Sequence, residues 1–195
     1  MTKTKEHSPQ LTKVVKLVTL ALLSAIGLVL MSFVRFPLFP SASFLEYDMA
    51  DVPVFLAALF FDIPSALLVL VVISVIQGLT VSAASGWIGI VMHIVATGAF
   101  VVALGLITRK ERDFKHILPG HLAGIVLMAG LMCIMNLIFT PIFMGTPVEA
   151  VKDMLLPIIL PFNLLKGGIN SVFTILLYFP LSKILHKEKL LPQKA

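Results

Sequence analysis

Charge is scarce in this chain: only 13% of its 195 residues are Asp, Glu, Lys or Arg, about half the share of a soluble domain. Cysteine is scarcer still. Cys133 stands alone, so an internal disulfide is excluded, and its apolar surroundings suit a small buried hydrophobe. No Gly-x-x-x-x-Gly-Lys-Ser/Thr loop is present, so the chain carries no phosphate cradle for hydrolysing ATP itself. His-Glu-x-x-His and Gly-x-Ser-x-Gly are missing as well, and no nucleophile–base pair stands out, which speaks against an enzyme.

Long apolar runs fill the space that charge leaves. Hydrophobic residues make up 58% of the chain, spread along its whole length, so residues 1–195 read as one integral membrane domain in a lipid bilayer. The run after Lys13 and Lys16 resembles a secretion signal, but no small-residue cleavage site follows, and it reads as a retained first helix. Spans are expected at about 14–34, 49–62, 63–81, 87–108, 119–140 and 154–185. Asp62 and Pro64 interrupt 49–81, which reads equally well as one bent crossing or two short ones.

The basic residues decide between these. All but three of the fifteen Lys and Arg fall in three clusters: Lys3, Lys5, Lys13 and Lys16; Arg109, Lys110, Arg112 and Lys115; Lys183, Lys187, Lys189 and Lys194. The positive-inside rule puts all three in the cytoplasm. An even number of crossings must then separate the first two clusters, so 49–81 crosses twice. The expected fold is all-α, with six transmembrane helices and both termini cytoplasmic. The net charge of +5 thus reports topology and not a nucleic-acid partner. The outer loops hold Glu46, Asp48, Glu149 and Asp153 against Arg35 and Lys152, which is no basic funnel.

Within the last span lies Lys166, in Leu160-Pro161-Phe162-Asn163-Leu164-Leu165-Lys166-Gly167. A charge in bilayer costs on the order of 3 kcal/mol on insertion scales, which marks a ligand, an ion path or a buried partner. Asn163, Lys166 and Asn170 are spaced i, i+3, i+7 and share a helix face that suits an oxygen-rich ligand. A carboxylate on another helix would satisfy the lysine equally. Pro157 and Pro161 open the entry to this helix and free carbonyls there. Asn136 in the fifth span stands near the same outer end and reads as a pocket amide or as interhelical glue. The segment Arg35–Asp48 is long for a connector and rich in Phe and Pro, which suits a lid that stacks on a flat ligand or an interfacial anchor. Asp51, with Pro53 soon after, is expected to cap the second helix. His93 lacks a second metal ligand at suitable spacing and is expected to make a packing hydrogen bond or a ligand contact. Ala21 and Ala25 form a small-xxx-small pair that lets another helix approach or packs internally.

These motifs resemble the substrate-binding S components of energy-coupling factor (ECF) vitamin transporters, most closely the riboflavin-specific group, over about residues 14–185. The resemblance rests on Phe44-Leu45-Glu46-Tyr47-Asp48-Met49-Ala50-Asp51-Val52-Pro53, on the Lys166 segment and on Asn136. It implies a six-helix fold that captures a vitamin, riboflavin first among them, from outside and needs no cofactor or metal. Asn136, Asn163 and Lys166 would hold the ligand, with Phe36, Leu45, Glu46, Tyr47 and His93 around it. Ala21 and Ala25 match the patch that docks on the shared transmembrane subunit (EcfT), which works with two ATPase subunits. Two features depart from the pattern: residues 68–74 carry no charge, and His93 stands where relatives often have asparagine. Another vitamin, a small proton-coupled transporter with Lys166 titrating, and a membrane enzyme are the competing readings.

Overall fold

The computed structural model describes residues 9–187, so Lys3, Lys5, Lys189 and Lys194 lie outside the described residues. The chain forms α1 (Pro9–Phe33), a hairpin of β1 (Arg35–Pro37) and β2 (Glu46–Asp48), then α2 (Asp51–Phe60) and α3 (Ile63–Leu79). α4 (Gly86–Ile107) and α5 (Phe114–Met144) follow. The last span is α6 (Val148–Met154), a π-helical turn (Leu155–Ile159) and α7 (Leu160–Lys187).

Four helices, Lys13–Phe33, Gly86–Ile107, Phe114–Met144 and Val148–Lys187, are long and apolar enough to cross a membrane. The ten residues of α2 and the seventeen of α3 extend only about 15 and 25 Å, short of a roughly 30 Å hydrocarbon core. Their contacts nevertheless make them two antiparallel legs and not one bent helix. The turn between them is held at one end of the bundle. Lys16 Nζ bonds Asp62 there at 2.7 Å, and the Arg112 guanidinium donates to the carbonyls of Phe60 and Phe61 at 3.1 and 2.5 Å. At the other end Arg35 Nη1 donates to the carbonyl of Val81 at 2.5 Å, just beyond α3. The break itself is a cap: Asp62 Oδ1 accepts from Ser65 N at 2.9 Å, with Pro64 in the first turn where its missing N–H is harmless. The end of α7 returns to the Lys16 and Arg112 end, where Tyr178 stacks on Phe60 and Phe179 meets Phe114. The described basic residues of all three clusters therefore gather at one end of the bundle.

Beyond Asp51 helix α2 is apolar all round, and every one of its residues is buried, as such a helix must be. It packs against α1, α3, α4 and α7. Lipid tails are as apolar as leucine, so close van der Waals contact must hold these helices. Phe55 of α2 stacks on Phe100 of α4 with ring centroids 3.9 Å apart. Gly124 of α5 admits that ring: a Cβ there would lie 2.7 Å from it. Gly167 does the same beside Met128 and Ile125, whereas Gly168 faces open space.

The segment between α1 and α2 is a packed hairpin and not a loose lid. Arg35 pairs with Asp48, Phe36 with Tyr47 and Pro37 with Glu46. Its Ala42 and Leu45 join Val151, Ile159 and Phe162 in a second small core. Asp51 is not the cap of α2. It lies inside the helix and its carboxylate turns into the bundle, while Asp48 Oδ1 accepts from Ala50 N at 3.0 Å. Ala21 and Ala25 are exposed on α1, and the opposite stripe of Leu20, Leu23 and Gly27 is buried, so the pair does not pack internally.

Candidate functional site

A cavity of about 310 Å³ opens between the hairpin and helices α3, α4, α5 and α7. That is the lower end of the size range of small-molecule sites. The sequence-predicted residues Leu45, Glu46, His93, Asn136, Asn163 and Lys166 all line it. Phe36 and Tyr47 do not, a correction to the expected lid contacts. Strand residues alternate between two faces, so Arg35, Glu46 and Asp48 turn to the cavity and Phe36 and Tyr47 turn away. Phe36 is partly exposed and packs on Tyr47 with ring centroids 5.3 Å apart. Phe44 lines the cavity in their place, with Phe143 and Phe162.

Lys166 has a carboxylate partner. Its Nζ bonds Asp48 Oδ2 at 2.9 Å, with side-chain exposures of 15% and 5%. Burying two charges is tolerable only when they are paired and hydrogen-bonded, and here the pair sits beside a third group, Asp51. Asp51 is buried and takes three donors. His93 Nε2 donates to it at 2.9 Å, Thr97 Oγ1 at 3.1 Å and Asn170 Nδ2 at 3.3 Å. His93 Nδ1 lies 3.0 Å from Ser74 Oγ, which fixes the ring across α3 and α4.

Asn170, on the predicted polar face, does not reach the cavity. Its Nδ2 donates to the Asp48 carbonyl at 3.2 Å as well as to Asp51, and its Oδ1 accepts from Tyr47 Oη at 2.9 Å. It ties hairpin, α2 and α7 together. Burial, with Asp48 beside it, pushes the Tyr47 phenol up to about 12, so Tyr47 stays a donor in this bond. Asn136 Nδ2 donates to the Met132 carbonyl at 2.7 Å, and its Oδ1 accepts from Thr140 Oγ1 at 2.7 Å. Asn163 Nδ2 donates to the Ile159 carbonyl at 2.8 Å, at the end of the π-helical turn that contains Pro157. An amide holds four hydrogen-bonding positions, so each asparagine keeps capacity toward the cavity.

The second cation of the wall, Arg35, is also engaged: its guanidinium bonds Glu46 through Nε at 2.6 Å and through Nη2. Both cavity cations are thus matched to carboxylates. The site offers a neutral, hydrogen-bonding ligand many partners and an anion no free cation among the described wall residues. Asp48, Asp51, Thr97 and Ser74 were not predicted as site residues, nor was Gln77, although an amide in the apolar run of α3 was a signal of the same kind as Asn136.

The described residues form an apolar helix bundle around a polar-walled cavity of small-molecule size. A family model for the substrate-specific component of ECF transporters matches residues 15–178, and the chain belongs to that family. A riboflavin transporter RibU of Streptococcus thermophilus is 35% identical over 185 residues, covering 91% of this chain and 87% of that protein. A riboflavin transporter FmnP of Bacillus subtilis is 28% identical over 185 residues, covering 91% and 97%. Among solved structures, an S component of a bacterial ECF transporter superposes with a TM-score of 0.77 at 28% identity, covering 89% of this chain and 98% of that one.

Proposed function

We propose that this integral membrane protein is the riboflavin-binding S component of an ECF importer in the bacterial cell membrane. The observation that carries the reading is the charge-balanced cavity, in which Lys166, Asn136 and Asn163 face a common space. Riboflavin is uncharged, with a flat ring and a chain of hydroxyls. The hydroxyls pair with Asn136, Asn163 and the Lys166–Asp48 pair and take up the hydrogen-bonding capacity these side chains have left. The ring lies against Phe44, Leu45 and Phe162 and not against Phe36 and Tyr47. The names of the relatives support the same ligand.

The basic end of the bundle then faces the cytoplasm, with both termini, and the cavity opens outward. EcfT and two ATPase subunits supply the energy, and the exposed Ala21–Ala25 stripe is the docking face for EcfT. Uptake of labelled riboflavin tests the assembly. Cells lacking their own riboflavin uptake should accumulate it only when this chain and the ATPases are both present, and a proton ionophore should not abolish it at constant ATP. Uptake that survives loss of the ATPases would overturn the reading in favour of a proton-coupled carrier.

A further inference from the structure

Most described polar side chains around the cavity are committed to protein partners, but the amide oxygen of Gln77 is buried there without one. Gln77 lines the cavity wall on α3, one turn beyond Ser74 on the same helical face. Its Oε1 is shielded from solvent and accepts no hydrogen bond from any described residue. Asn136, Asn163 and Asn170 each bond protein atoms through their amides. A buried carbonyl oxygen without a donor destabilises the empty site, and a ligand that brings a donor relieves that cost. Two other polar groups of the same wall are already matched, His93 hydrogen-bonded to Asp51 and Arg35 paired with Glu46.

We infer that Gln77 is a specificity-determining residue that reads the imide edge of the flavin ring. The inference rests on the riboflavin reading. If the ribityl hydroxyls occupy Asn136, Asn163 and Lys166, the ring's remaining polar edge is its pyrimidinedione. That edge carries one donor, N3–H, flanked by two carbonyl acceptors. A primary amide presents an acceptor and a donor side by side and matches such an edge with two hydrogen bonds, as Gln matches an amide-like base edge in nucleic acids. The neighbouring wall combines apolar Gly78, Ile88 and Ile90 with the hydroxyls of Ser74, Ser82 and Ser85, among which Gln77 is the one amide. Gly78 keeps the wall thin: a Cβ on it would lie 2.2 Å from the Ile90 side chain.

The test compares riboflavin with 3-methylriboflavin, in which a methyl group replaces the N3 hydrogen. Both are titrated against the purified full chain by quenching of flavin fluorescence. The parent should bind the methylated analogue at least roughly tenfold more weakly, as expected for loss of a buried hydrogen bond. Gln77→Met, of similar volume and helix preference, should weaken riboflavin roughly tenfold and bring the two ligands to within about threefold of each other. A parent that binds both equally would overturn the inference without any variant. So would a folded Gln77→Met protein that keeps the parent's discrimination. A parent that binds neither ligand would instead overturn the riboflavin reading itself.

Discussion

Exchanging Asp48 and Lys166 singly and together separates a structural ion pair from a ligand anchor. Asp48→Ala removes the acceptor 2.9 Å from Lys166 Nζ and the acceptor 3.0 Å from Ala50 N. Leaving one member of a buried pair alone costs about 3–5 kcal/mol, and the open cavity beside Lys166 brings this to the low end of that range. The lost bond to Ala50 adds about 1 kcal/mol. For a chain of this size 1 kcal/mol moves Tm by about 2–4 °C, so Asp48→Ala should lower Tm by roughly 8–16 °C. Lys166→Met leaves Asp48 charged and unpaired and should cost a similar amount. The double change Asp48→Ala, Lys166→Met removes both charges, so it should lose little beyond the bond to Ala50, a coupling of about 2 kcal/mol or more. Thermal unfolding of the ligand-free protein in detergent reads all three. The double variant should still bind riboflavin at least roughly tenfold more weakly than the parent, because a ligand contact is gone while the fold is restored. Strictly additive Tm losses would refute the pairing, and full-affinity binding by the double variant would refute the ligand role of Lys166.

Three further outcomes follow from the same geometry. Ala21→Trp should leave riboflavin affinity unchanged and abolish uptake, because the position is exposed on α1, away from the cavity; unchanged uptake would remove the docking role. Tyr47→Phe should lower Tm by several degrees by depriving Asn170 Oδ1 of its donor, yet alter affinity less than Phe44→Ala, and the reverse order in a titration would restore the ring to the Tyr47 face of the hairpin. Riboflavin should bind at least roughly tenfold more tightly than its 5′-phosphate, since Arg35 and Lys166 are both held by carboxylates and a phosphate must displace one of them; equal affinities would contradict that charge balance.

The parts of the fold legible in the sequence were those written in local or cumulative signals. Apolar runs marked the helices, and the interruption at Asp62 and Pro64 with the three basic clusters divided 49–81 into two legs. Lys166 was legible because a cation in an apolar helix has so few purposes. Partners across the bundle were not legible. Asp51 sits where a capping residue would sit, and no local pattern distinguishes a cap from a side chain turned inward to His93 and Asn170, distant in sequence. The hairpin was missed for a related reason. Three-residue strands carry too little alternation to announce themselves, and without their register Phe36 and Tyr47 could not be separated from Glu46 and Asp48. Asn170 shared the predicted face, but its hydrogen bonds hold the hairpin to α7.

The central claim is that this cavity holds riboflavin, and a titration of the purified chain against flavin fluorescence tests it most directly. The account predicts saturable quenching at one ligand per chain with sub-micromolar affinity, weakened at least roughly tenfold by Asn163→Leu, which removes an amide that faces the cavity. Fluorescence that stays unquenched at micromolar riboflavin, in protein that is folded and monodisperse, would contradict it.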